Sequence, residues 1–186
     1  MSPRLPALLV LFFLAACSSS AKTNFYALEP LPPAQPVSAQ GPDTPVSVDR
    51  VELPAMLDRL SLVTEGPGNR ISVSDTDRWA APLDEQIRRT LTEDLRRRLP
   101  EGTVLAAGDP TPPGTRMITL NVQQFVVDAT GQVTLEADWS LHHGERTGDV
   151  RHVRLRVASE GRGGDAIAAS MSRALGELAE RISAEL

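Results

Sequence analysis

Leu83, Ile87, Leu91, Leu95 and Leu99 recur at every fourth position through "PLDEQIRRTLTEDLRRRLP". That spacing follows one side of an α-helix, so the segment predicts a helix with a narrow apolar stripe. A helix of this length is marginal in water, and the stripe must be covered by another apolar surface. Its ends are marked. Pro82 suits a first helical position. Asp84 and Glu85 complement the positive end of the helix dipole, and the Arg96-Arg97-Arg98 run the negative end. Pro100 and Gly102 stop it. Asp84–Arg88, Glu85–Arg89, Glu93–Arg97 and Asp94–Arg98 stand as i,i+4 pairs in the favourable orientation. A second stripe, Ile167, Met171, Ala174, Leu175, Leu178 and Ile182, predicts another helix from Gly164 to about Glu185.

The surface these helices need is written in alternating runs. "QVTLEADWSLH" sets Val133, Leu135, Ala137, Trp139 and Leu141 against Thr134, Glu136, Asp138 and Ser140. "DVRHVRLRVA" sets Val153, Leu155 and Val157 against His152, Arg154 and Arg156. In "RMITLNVQQFVVD" the phase changes after Val122, which predicts a bulge near Gln123-Gln124. One-sided alternation suits an antiparallel meander with one wet face, on which Glu136 and Asp138 could meet Arg154 and Arg156. Upstream, "VSVDRVELP" reads as a strand, and two short runs around Gly66-Pro67-Gly68-Asn69 read as a hairpin. The expected fold is a single α/β domain over residues 45–186: a mixed, mostly antiparallel sheet with two long amphipathic helices.

Residues 1–16 fit a secretory signal peptide, with Arg4 at the start, a short apolar centre and small residues at its end. The apolar run is about half of the ~20 residues a spanning helix needs. Leu14-Ala15-Ala16-Cys17 resembles a bacterial lipobox, which makes Cys17 the lipidation site and first residue of the mature chain. Ser18 after it implies sorting to the outer membrane, so the expected place is the periplasmic face of that membrane. Residues 17–44 read as a lipidated N-terminus and a Pro-rich tether, within which 25–28 could form an edge strand. If they dock, seven residues separate Cys17 from the body, a reach of about 25 Å.

Little in the chain suggests catalysis. The net charge of −5 argues against nucleic acid, whose phosphates need a basic surface. The single cysteine leaves no disulfide and no thiolate metal cluster. "GRGGDA", Gly161 to Ala166, nominally fits a dinucleotide-binding turn but lacks the following strand and acidic residue, so it reads as a loop. His142 and His143 are adjacent and would point to opposite faces of a strand. His152 has no histidine or cysteine neighbour in its pattern. No nucleophile elbow or zinc-protease motif is present. The residues thus predict no catalytic site, no metal and no cofactor.

The motifs "FYAL", "VDRVELPAMLDRLSLV", "RWAAPLDEQIRRTLTEDLRRRL" and "VTLEADWSL", in this order and behind a lipobox, resemble the PqiC/YmbA family. These are auxiliary lipoprotein components of ABC-type, MCE-protein intermembrane transport systems. Met56 stands where the family often has an aromatic residue, and Ala81 where it often has an acidic one. The resemblance implies a non-enzymatic, outer-membrane-anchored adaptor that receives an MCE-domain periplasm-spanning protein, with assembly into a homo-oligomeric ring. Asp58, Arg59 and Trp79 carry the motif and are the implied partner-binding residues. The alternative is a periplasmic lipid carrier or envelope-assembly lipoprotein without an MCE partner; a carrier would need an apolar cavity of several hundred Å3.

Overall fold

The computed structural model describes residues 21–34, 41–144 and 146–186. The signal segment, Cys17 and Ser18 lie outside the described residues. Among the described residues eight strands form one sheet: β1 (Asn24–Tyr26), β2 (Val46–Glu52), β3 (Ser61–Gly66), β4 (Arg70–Trp79), β5 (Arg116–Val127), β6 (Gln132–His143), β7 (Arg146–Thr147) and β8 (Arg151–Ala158). The helices among the described residues, α1 (Leu83–Arg96) and α2 (Gly164–Ser183), pack against each other and the sheet. The mixed α/β domain expected from the patterns is what forms.

β5, β6 and β8 make the antiparallel meander, with β6 in the middle. The register shift in β5 falls between Val122 and Gln124, and it returns Phe125 to the core at 1% exposure. The change of phase in the sequence was therefore a bulge, which lets one strand keep a single buried face. β5 also carries β2 alongside its first half and β3 at Val127, both parallel. β3 and β4 form the expected hairpin, turning through Gly68 and Asn69 at φ of 67° and 60°. Glycine and asparagine tolerate this left-handed region better than other residues.

Each helix lays its stripe on the sheet. Leu83, Ile87, Leu91, Leu95 and Leu99 are all buried, as are Ile167, Met171, Ala174, Leu175, Leu178 and Ile182. α1 begins one residue later than Pro82, which sits at the cap and offers its carbonyl to the Gln86 N–H at 3.1 Å. On the wet face Arg154 meets Glu136 at 3.1 Å as expected. Asp138 meets His152 at 2.9 Å instead of Arg156, because the register sets Arg156 opposite Thr134.

Candidate functional site

The loop between β2 and β3 holds Asp58 and Arg59. Its backbone is pinned by the Leu57 N–H to the Pro54 carbonyl (2.8 Å) and the Arg59 N–H to the Leu57 carbonyl (2.8 Å). Leu57 is the inward peg of the loop, at 3% exposure, while Met56, Asp58, Arg59 and Leu60 are exposed. Trp79 does not join them at the surface. Its side chain is 3% exposed, enclosed with Leu57, Leu83, Phe125 and Met171. A buried indole offers no surface for direct contact, unlike Asp58 and Arg59. The backbone N–H of Trp79 donates to the Leu60 carbonyl at 2.7 Å, which ties β4 to the end of the loop that presents Asp58 and Arg59.

On the other side of Trp79 lies β1, parallel to the end of β4 with Tyr26 level with Trp79. The Ala80 N–H donates to the Tyr26 carbonyl at 2.8 Å. Asp77 gathers the local side chains, accepting from Asn24 (3.0 Å), Tyr26 (3.1 Å) and Ser74 (3.1 Å). The hydrogen bond from Asn24 is the largest influence and holds the Asp77 carboxyl below the usual carboxylate range. Tyr26 is raised above the ordinary phenol value, first by desolvation and then by its bond to Asp77. Its ring lies so close to Gly164 that a Cβ there would stand 2.4 Å from ring carbons. The glycine of "GRGGDA" thus admits a tyrosine, not a phosphate.

Beyond β1 the chain continues as a strap, residues 27–34, held by side chains of both helices. Leu28 is fully buried; its N–H donates to Gln86 Oε1 (2.8 Å), and its carbonyl accepts from Thr90 (3.2 Å) and Arg89 (3.2 Å). The Glu29 N–H donates to Ser172 Oγ (3.0 Å), and Arg97 donates to the Pro30 carbonyl (3.0 Å). The Leu31 N–H donates to Asp94 Oδ1 (2.7 Å), and Arg98 donates to the Leu31 carbonyl (3.4 Å). Gln86, Thr90, Asp94 and Arg98 recur every fourth residue, one position before the apolar stripe, and all are buried. A helix with a second, polar stripe at that spacing can satisfy an extended chain that has no strand beside it. This polar stripe is the arrangement that pattern reading missed: its members looked like an ordinary solvated face. Two of the expected surface ion pairs are accordingly redirected, with Arg89 and Arg97 donating to the strap.

Asp94 and Arg98 do pair as expected, at 3.4 Å, but in the interior and not on the surface. Burial dominates over the Leu31 N–H and Arg98, and pushes the Asp94 carboxyl up to about 6. Arg98 also reaches Glu180 of α2 at 3.4 Å. The strap, α1 and α2 are thus joined at one charged point.

Among the described residues no group of three or more histidine, cysteine, aspartate or glutamate side chains could hold a metal ion. His152, 57% exposed, lies between Asp138 and Glu136 on the open sheet face. His142 meets Ser140 at 2.9 Å. An open groove of about 680 Å3 runs between the strap and α2, lined by Leu31, Arg98, Arg173, Glu177 and Glu180 among others. Among the described residues no helix is long and apolar enough to cross a membrane.

Residues 26–183, from the β1–strap junction to the end of α2, match the family model of the ABC-type transport auxiliary lipoprotein component. The chain belongs to that family. It is a family of transport auxiliaries rather than of enzymes. Over 73 residues the chain is 37% identical to the intermembrane transport lipoprotein PqiC of Escherichia coli (strain K12), and equally to that of Shigella flexneri. The matched stretch is 38% of this chain and 37% of the relatives, so it spans little more than a third of their length. A crystal structure of an uncharacterized protein superposes at a TM-score of 0.74 with 21% identity, covering 88% of this chain and 98% of the other. A protein from Xanthomonas campestris superposes at 0.67 with 16% identity, covering 86% and 93%. These two likenesses extend to the fold. For this auxiliary lipoprotein, the family match places the strap and the Pro54–Leu60 loop inside the family's common body.

Proposed function

We propose that this auxiliary lipoprotein is held by lipid on Cys17 at the periplasmic face of the outer membrane. There it serves as the adaptor of an MCE-type ABC intermembrane lipid transport system. The family match over residues 26–183 carries the reading, and the name of the PqiC relatives supports intermembrane transport. Residues 1–16 are the signal peptide in this reading, 17–23 the tether, and the body begins at β1. Asp58 and Arg59 are the exposed contact positions for the periplasm-spanning MCE-domain partner. Trp79 positions their loop from beneath. Several copies in a ring would surround that partner and repeat the contact.

The lipid-carrier alternative has less support. The space enclosed around Trp79 by Leu57, Leu83, Phe125 and Met171 has no room for a water molecule. The groove between the strap and α2 is open and carries Arg98, Arg173, Glu177, Glu180 and Arg181 on its walls, unlike a sheltered apolar cavity. Affinity purification of the lipidated chain from envelopes tests the adaptor reading. An MCE-domain protein should copurify, and Asp58→Arg with Arg59→Glu should remove it without removing the chain from the membrane. Radiolabelled palmitate should enter the wild type and not Cys17→Ser. Absence of an MCE-domain protein from the purified material would overturn the adaptor role.

A further inference from the structure

We infer that the end of the sheet carrying Phe25, Met56 and Leu60 rests on the lipid bilayer, with Lys22 and Arg78 meeting its phosphates. This deepens the proposed function and rests on its anchoring through Cys17.

The three apolar side chains are 65%, 36% and 44% exposed. Successive side chains of a strand point to opposite faces. Tyr26 turns toward Asp77 and Gly164, so Phe25 beside it faces away from α2. Phe25 is level with Arg78, which is exposed, while its neighbour Trp79 is buried. Arg78 is in turn level with Ser61 of β3, and Leu60 precedes Ser61. Phe25 and the head of β3 are therefore two strand spacings apart, about 10 Å. Met56 and Leu60 belong to the loop that leads into β3. Phe25, Met56 and Leu60 thus share one end of the β1–β4–β3 sheet, whereas the exposed Ile71 and Val73 of β4 lie toward its hairpin end.

Scattered exposed apolar residues are ordinary. The position of these is not. The chain enters the body at Asn24, seven residues from Cys17, which allows about 25 Å of extended tether. Because the strap is tied down by both helices, the tether cannot lengthen without breaking those bonds. Of all surfaces of the domain, the end at β1 is thus the one that the anchor holds nearest to the bilayer. Its charge also suits phospholipid headgroups. The whole chain is at −5, yet exposed Lys22 and Arg78 flank Phe25. The nearby Asp77 is turned to the helix side and engaged by Asn24, Tyr26 and Ser74. Cations beside a partly inserted aromatic residue are what an interfacial contact with anionic lipid uses. Asp58 and Arg59 stand between Met56 and Leu60 in the same exposed loop and offset each other in charge, so a protein partner would meet them at the membrane surface.

The test uses the mature, lipidated chain in vesicles of phosphatidylethanolamine and phosphatidylglycerol. With the only natural cysteine acylated, Phe25→Cys takes an environment-sensitive fluorophore alone. The control is Asp109→Cys. Its loop follows Leu105, which bonds to Val46 at the start of β2, whereas the Pro54–Leu60 loop leaves the end of β2. Lipids brominated along the acyl chain should quench the probe at 25 several-fold more than the probe at 109, and Leu60→Asp with Arg78→Glu should erase the difference. Equal quenching at both positions overturns the inference. So does a probe at 25 that is shielded from water but untouched by brominated lipid, the result expected if a second copy or another protein covers the patch. The mass of the N-terminal peptide reports the anchor separately. Should Cys17 carry no lipid, the anchoring falls, and flotation of the same chain with these vesicles decides the patch: flotation lost in Leu60→Asp sustains it, and no flotation overturns it.

Discussion

At the scale of single residues, Asp94 and Tyr26 make the strap measurable. Burial pushes the Asp94 carboxyl up to about 6 in the folded chain, against an ordinary aspartate value of about 3.9. Between those values the folded state binds the extra proton, so stability is lost as pH rises from about 4 to about 6. Asp94 should contribute on the order of 1–2 kcal/mol to this slope, allowing for screening. Asp77 and Asp128, both held low, act in the opposite sense and lose stability as pH falls. The contribution of Asp94 is therefore read as the difference between wild type and Asp94→Asn in urea unfolding across that range. An unchanged slope in Asp94→Asn would remove it. Tyr26 is the single tyrosine, so ultraviolet titration reports it alone. Its phenol should ionise above the ordinary value of about 10. Gly164→Ala, which crowds the ring and loosens its bond to Asp77, should bring that value back toward 10.

At the scale of elements, the strap behaves as a structural member without being a helix or a long strand. Leu28 is its apolar peg, and Leu28→Ala should cost about 2–5 kcal/mol, as buried leucines do. Hydrogen exchange should show the consequence locally, with the amides of Leu28, Glu29 and Leu31 losing protection before the meander does. Uniform loss across the sheet would mean that strap and sheet open together. The two helices and the meander were legible because periods of 3.6 and 2 identify a buried face without knowing what covers it. What covers the face was not legible. Alternation in "VSVDRVELP" says nothing about a parallel neighbour, and β2 lies parallel to β5 through a pairing some 70 residues away in sequence. β4 was read only as far as its apolar alternation, because Ser74–Asp77 supplies polar turn chemistry inside a strand. Gln86, Thr90, Asp94 and Arg98 are residue types that belong on wet helix faces, and only a strap with unsatisfied amides turns them inward. Trp79 stood out in the motif, but a motif does not distinguish an exposed tryptophan from one buried beneath a loop.

At the scale of the whole molecule, the proposed contact residues and the core residue beneath them should respond differently to substitution. Asp58 and Arg59 are exposed and Trp79 is core. Charge reversal at 58 and 59 should leave the melting temperature within about 2 °C, since surface changes are usually within ±0.5 kcal/mol, while abolishing copurification of the partner. Trp79→Ala should lower stability by about 3–5 kcal/mol and reduce copurification through the loosened loop. If Trp79→Ala left stability intact, its burial would not be what supports the loop.

The strap also sets how far the body can be drawn from an anchor. In the proposed arrangement Cys17 is fixed in a membrane, and a pull on the chain reaches the fold first at Asn24. Hydrogen bonds with Asp77, Gln86, Thr90, Asp94, Arg97 and Ser172 hold the chain at successive points from Asn24 to Leu31. Each further residue released to the tether would cost one or more of them, so such a domain would work on a short, fixed leash.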